Sequence, residues 1–173
     1  MTKQIIIIGF MGTGKTTVAR ELALRLNCLG MDLDELITKN EGRSPKEIIE
    51  QVGENTFREI ETQTLREVLI EGVARVVAVG GGAWTIAENR KLIKEQGAFT
   101  VWLDAPFELC WKRIEAGLET RPLARSQEAA RKLYLARRPV YESADASVTV
   151  KENESIEEIA KKVARAVSGT EGE

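Results

Sequence analysis

Residues 9–17 read Gly-Phe-Met-Gly-Thr-Gly-Lys-Thr-Thr and follow directly on the apolar run Ile5–Ile8. No other stretch of the chain constrains its fold so tightly, because this pattern needs a buried strand before it and a helix after it. Gly9, Gly12 and Gly14 permit positive φ and leave room for a polyphosphate against bare backbone. Successive N–H groups in such a loop form an anion-binding concavity at the start of the next helix, expected here from Lys15. Lys15 is placed to reach β- and γ-phosphates, and the Thr16 hydroxyl to ligate Mg²⁺. The expected nucleotide contacts are therefore Gly12, Thr13, Gly14, Lys15, Thr16 and Thr17. A plain glycine-rich turn with a stray lysine is the alternative, and the strand, the spacing and the hydroxyl together argue against it.

Beyond this loop, strand-like and helix-like stretches alternate. Residues 4–9 read as a strand, and 15–26 as a helix with Val18, Leu22 and Leu26 on one face. Residues 29–33 are short and apolar, ending in Asp-Leu-Asp. Ser44-Pro45-Lys46-Glu47 supplies a cap, a proline at the first helical position and a capping-box glutamate for a helix to about Val52. Phe57, Ile60, Thr64, Leu65, Val68 and Leu69 mark a longer helix that stops at Gly72. Residues 75–79 form a β-branched strand running into Gly80-Gly81-Gly82. Thr85 to Glu88 opens another helix by a capping box, and Gly97 closes it. Strand 99–103, helix 106–115, helix 127–141, strand 147–150 and helix 155–167 complete the series.

Five short apolar strands separated by helices predict an α/β fold, a five-stranded parallel sheet flanked by helices, in a single domain over 1–167. Ligands of such sheets sit at the carboxyl ends of the strands. The irregular segment 116–126, rich in Arg, Gly and Glu, reads as a mobile lid, and 168–173 as a frayed polar tail.

Composition narrows the chemistry. With no histidine, Ser-His and Cys-His nucleophile systems and His-ligated zinc are excluded. Formal net charge is −2, which gives no basic field for nucleic acid or an anionic membrane. Cys28 and Cys110 lack metal spacing and read as structural thiols. No apolar stretch approaches the ~20 residues that span a bilayer. The start of the chain, Met-Thr-Lys-Gln running into a strand, lacks a signal peptide, so a cytoplasmic enzyme is expected.

The remaining candidates each carry two readings. Asp32-Leu33-Asp34 closes the second strand, where alternation points both carboxylates into the crevice. One would hold Mg²⁺ through water, and the other would orient a substrate hydroxyl for in-line attack; a helix N-cap for residues 35–40, or a solvated pair, is the alternative. Gly80-Gly81-Gly82 reads as a substrate floor or as a plain strand-to-helix turn. Arg58, with Glu54 and Glu61 on its own helix face, is either part of a surface ladder or a fork, held by Glu61, that receives a ligand carboxylate. Arg121 in the lid would neutralise a transferring phosphoryl group, and Arg137 would be a second carboxylate clamp; both are also ordinary surface arginines by composition.

Taken together, residues 9–17, Asp32-x-Asp34, Gly53-Glu54-x-x-Phe57-Arg58-x-x-Glu61, Gly80-Gly81-Gly82, Arg121-Pro122-Leu123 and Arg137-x-Pro139-x-Tyr141 resemble the shikimate kinase family of P-loop proteins. The resemblance runs over nearly the whole chain and implies a monomer that phosphorylates the 3-hydroxyl of shikimate with ATP, in aromatic amino acid biosynthesis. On that footing Asp34 meets the ring hydroxyls, Arg58 and Arg137 grip the carboxylate, and Gly81 packs on the ring, with Gly80 and Gly82 beside it in the substrate floor. Thr16 and Asp32 then serve Mg²⁺, and Arg121 joins Lys15 and Asp34 in catalysis. Trp84 is bulkier than this family leads one to expect and either lines the crevice or caps the core. The segment Lys151-Glu152-Asn153-Glu154 lacks the Arg-Pro features that some members show near adenine. Gluconate kinases are expected to carry a histidine after the acidic pair, nucleoside-monophosphate kinases usually show Gly-Lys-Gly at the loop's end, and GTP switches need an Asn-Lys-x-Asp reader. None of these is present. A silent ligand-sensing module is the remaining alternative, against which every candidate catalytic position is filled.

Overall fold

The computed structural model of the protein describes residues 3–117 and 126–169. The Arg121-Pro122-Leu123 motif, residues 118–125 of the expected lid and residues 170–173 of the tail lie outside the described residues.

Strands β1 (Ile5–Ile8), β2 (Gly30–Asp32), β3 (Val76–Ala78), β4 (Phe99–Asp104) and β5 (Ala146–Thr149) form one parallel sheet in the order β2-β3-β1-β4-β5. The five-stranded α/β class read from the alternation is the class observed. β1 lies at the centre, with Ile5 opposite Val76 on one side and Phe99 on the other. Its four isoleucines are wholly buried, because a parallel strand covered on both faces is apolar throughout. Chain order sends β2 and β3 to one side of β1, and β4 and β5 to the other. The strand order therefore reverses at β1, and the loops leaving β1 and β3 part to open a crevice at their carboxyl ends.

Helix α1 (Lys15–Arg25) lies over β2 and β3 and packs on α8 (Ile156–Ser168), which covers β4 and β5. Helices α2 (Leu33–Glu41), α3 (Pro45–Val52) and α5 (Ala87–Glu95) gather around the long α4 (Glu54–Glu71), while α6 (Phe107–Glu115) packs on α7 (Gln127–Tyr141). The capping box at Ser44 forms as expected, with Glu47 reaching back to the Ser44 backbone. No helix among the described residues is long and apolar enough to cross a membrane.

Two local expectations are corrected. Thr85 does not open α5 through a capping box; its hydroxyl donates to the Gly82 carbonyl at 2.6 Å, closing a 3₁₀ turn over Ala83–Thr85. A hydroxyl committed to a local carbonyl is lost as a cap, and α5 instead starts from Ile86 without a side-chain cap. The second strand stops at Asp32 rather than at Leu33, because one Asp32 oxygen accepts the backbone N–H groups of Asp34 and Glu35 and so caps α2. Asp32 and Asp34 thus reach the crevice as a cap and a first-turn residue, not by strand alternation.

Where α1 crosses β2, a Cβ at Gly30 would lie 2.7 Å from the Ala23 Cβ and 3.2 Å from the Ala19 carbonyl oxygen. Neither neighbour is a flexible side-chain end, so Gly30→Ala must push helix from strand. Overpacking of this kind costs about 1–3 kcal/mol. The expected outcome is a Tm lowered by several degrees in a thermal melt, since roughly 2–4 °C is lost per kcal/mol in a protein of this size. An unchanged Tm would mean that α1 and β2 have slack between them.

Candidate active site

The loop between β1 and α1 is held open by contacts from the far end of the chain. Gly12 has φ +82°, and a Cβ there would meet the Cys110 carbonyl oxygen at 2.6 Å, so only glycine fits beneath α6. Arg113, one turn on from Cys110, donates to the Gly12 carbonyl at 3.0 Å. Thr13 is 1 % exposed, and its hydroxyl donates to the Phe10 carbonyl at 2.9 Å, so it shapes the loop rather than facing the crevice. Lys15 Nζ lies over the same carbonyl at 3.0 Å. Helix α1 begins from Gly14 with no side-chain cap and no acidic residue in its first turn. Its first N–H groups are therefore left for an anion, where the helix dipole also favours negative charge.

A crevice of about 410 Å³ brings Gly12, Gly14, Lys15, Thr16 and Thr17 together with Asp32, Asp34, Gly80, Gly81 and Arg113. The Thr16 hydroxyl donates to Asp32, whose other oxygen caps α2. Beyond Gly80 and Gly81 stand the charged groups of α4 and α7. Arg58 donates to Glu61 at 2.7 Å and to Glu54 at 3.1 Å, and Glu61 is fully buried. This is the fork held by Glu61, with Glu54 completing the ladder at the exposed end. Arg137 is buried as well, at 8 % exposure. Gly82 does not line the crevice: a Cβ on it would collide with the Arg58 guanidinium, so it serves as the bed of that side chain. A Cβ on Gly80 would lie 2.8 Å from Glu61 Oε1, and one on Gly81 3.3 Å from Arg137 Nη1. Four charged side chains therefore crowd the triple glycine, Asp34 among them.

Crowding leaves charge unbalanced. Asp34 Oδ1 and Glu61 Oε1 are both buried without a hydrogen-bond partner. Burial pushes the Asp34 carboxyl up to about 7, and the Asp32 and Glu61 carboxylates add to the rise against Lys15 and Arg58. Burial also raises Glu61, opposed by Arg58 and Arg137.

Trp84 is 5 % exposed and caps the core, donating from Nε1 to the Val140 carbonyl at 3.0 Å; it does not line the crevice. In the segment after β5, Glu152 pairs with Lys112 and Glu154 with Lys162. Sequence reasoning passes over Arg113. Its only local signal is that it lies three residues after Cys110, on the helix face that meets the loop, and nothing in the chain places α6 over Gly12. Arg121 lies outside the described residues.

The crevice thus joins a polyphosphate cradle to Asp34 with its orphaned oxygen, and Arg58 and Arg137 stand close against the neighbouring Gly82 and Gly81. The family profile for shikimate kinase matches residues 11–168. A shikimate kinase from Cereibacter sphaeroides is 39 % identical over 171 residues, covering 97 % of this chain and 84 % of the relative. One from Geobacter sulfurreducens is 40 % identical over 166 residues, covering 94 % and 89 %. Among solved structures, the shikimate kinase of Acinetobacter baumannii in complex with shikimate superposes with a TM-score of 0.90 at 33 % identity, over 100 % of this chain and 97 % of that one. With a family match over nearly its whole length and relatives this similar, the chain belongs to the shikimate kinase family.

Proposed function

We propose that the crevice transfers the γ-phosphate of ATP to the 3-hydroxyl of shikimate, with the roles of its residues set by where their charges lie. The observation that carries this is the junction of the two ends. Among the described residues, Asp34 is the only carboxylate that lines the crevice with an orphaned oxygen, and it stands between Lys15 and the Arg58–Glu61 pair. The triphosphate takes the N–H groups of the loop and the first turn of α1, with Lys15 leaving the Phe10 carbonyl for the phosphates. The acid group of shikimate takes the guanidinium groups of Arg58 and Arg137 over Gly81, and a ring hydroxyl takes the free oxygen of Asp34. Phosphoryl transfer asks little covalent chemistry of the protein, so positioning and charge stabilisation carry the rate.

A carboxyl near pH 7 fits its task, since a general base works best near the operating pH. Ionised Asp34 orients the attacking hydroxyl and accepts its proton as the phosphoryl group departs from ADP. Lys15 follows the charge that moves onto the β/γ-bridging oxygen. The residues present also fit Mg²⁺. Thr16 and Asp32 offer a hydroxyl and a carboxylate in contact, oxygen donors only, and the described residues contain no cluster of three or more acidic, His or Cys ligands. Such a sparse set suits an ion that keeps waters and binds substrate phosphates. When bound there, Mg²⁺ neutralises charge on the β- and γ-phosphates.

An ADP-release assay offering shikimate, gluconate and nucleoside monophosphates tests the reading, with turnover expected for shikimate alone. Lys15→Met is expected to lower kcat by orders of magnitude. Replacing Arg58 or Arg137 by Ala is expected to raise the KM for shikimate and leave that for ATP nearly unchanged. Loss of one partner of a desolvated charge pair costs about 2–5 kcal/mol, roughly 30-fold to several-thousand-fold. A fall in Tm with an unchanged KM would make these arginines structural instead.

Asp34 gives a separate, ligand-free test. Because its carboxyl titrates near 7 in the fold against 3.8 in the free residue, the folded state binds more protons than the unfolded state between those values. Stability therefore falls as pH rises through that window. Asp34→Asn, which removes the charge, is expected to raise Tm by several degrees at pH 8 and by less at pH 5, while abolishing most turnover. An equal shift at both pH values would show that Asp34 titrates normally.

A further inference from the structure

Trp84 and Tyr141 hold a buried region together without touching the phosphate cradle. Each donates its one polar hydrogen to a backbone carbonyl in the other's segment: Trp84 Nε1 to Val140 at 3.0 Å, and Tyr141 Oη to Gly81 at 2.5 Å. The pair locks the glycine floor to the last turn of α7. Arg137 stands four residues before Tyr141, on the same face of that helix. Arg58 is fixed by Glu54 and Glu61, whereas the salt bridges among the described residues do not include Arg137. Its placement comes from the helix that carries it and from two neighbours, the Tyr141 hydroxyl and the Glu61 carboxylate, and Pro139 deprives that helix of one N–H donor in the same turn.

We propose that Tyr141 is a positioning residue: by tying the Gly81 carbonyl to the end of α7 it sets the gap between the glycine floor and the Arg137 guanidinium, and with it the width of the acid-binding end. That gap is tight, since a Cβ on Gly81 would already lie 3.3 Å from Arg137 Nη1. The Tyr141 ring is held independently by stacking on Trp102, with centroids 6.1 Å apart and planes 29° apart. Removing the hydroxyl alone therefore leaves the packing in place and frees the tie. Burial pushes the hydroxyl up to about 12 against the nearby Arg137, so it stays a donor at every working pH. Were Gly81 O released, it would lose the bond that ties it to α7, and the floor would be free to shift.

The proposal rests on the reading that shikimate is the acceptor, and Tyr141→Phe tests it. The expected result is a KM for shikimate raised about 10-fold, or 1.4 kcal/mol, with kcat changed far less and the KM for ATP unchanged. A hydroxyl with only a structural part would lower Tm and leave the KM for shikimate alone; that outcome overturns the proposal. If wild type fails to turn over shikimate, the functional reading falls, and ligand-free crystal structures still judge the tie. An Arg137 guanidinium displaced from Gly81 in Tyr141→Phe supports it, and an unmoved one overturns it. Should that variant not fold, Trp84→Phe removes the reciprocal bond and takes its place. A raised KM for shikimate beside an unchanged KM for ATP then supports the tie, and two unchanged KM values overturn it.

Discussion

Four charged side chains crowd three glycines at the end of β3, and the rest of the site is arranged around that crowding. Arg58, Glu61, Asp34 and Arg137 approach Gly80, Gly81 and Gly82 so closely that any Cβ on the floor would meet a guanidinium or carboxylate. Charges resist such burial unless paired and hydrogen-bonded. Here the pairing is left incomplete: Arg58 satisfies Glu61 at one oxygen only, and Asp34 keeps one oxygen without a partner. The fold tolerates that deficit because the sheet, with its wholly buried central strand, supplies stability elsewhere.

On the proposed reading, that deficit favours a ligand that is both acidic and hydroxylated. A ligand that brings a carboxylate to the arginines and a hydroxyl to Asp34 completes hydrogen bonds that the protein alone cannot make. At the cradle end the logic is the same in opposite sign, with N–H groups at the start of α1 uncapped by any side chain. Those N–H groups stand in place without a ligand, and preorganised donors need no rearrangement when charge moves in the transition state.

Much of this is legible in the chain because it is local. The loop over residues 9–17 spells its own geometry, and its strand and helix follow from periods of two and 3.6. The pairing of Arg58 with Glu54 and Glu61 follows from helical spacing. Where the residues mislead, a side chain has chosen between two local partners. Asp32 spends an oxygen on the N–H groups of Asp34 and Glu35 and so ends the strand early, and Thr85 gives its hydroxyl to Gly82 and forfeits a cap. Short polar side chains compete for backbone in this way, and the winner depends on surroundings that a sequence does not state.

By itself, then, the sequence determined the phosphate-binding loop, the parallel α/β class and the identities of the charged residues that could serve a reaction. Only the tertiary structure decided which of them meet. Gly12 lies under Cys110 and Arg113, Gly81 under Tyr141 and Arg137, and Gly82 under Arg58. Those encounters join segments far apart in the chain, so no periodicity or spacing encodes them. They follow from the reversal of strand order at β1, which opens a crevice at the carboxyl ends of β1 and β3, and from the packing that closes α6 and α7 over its edge.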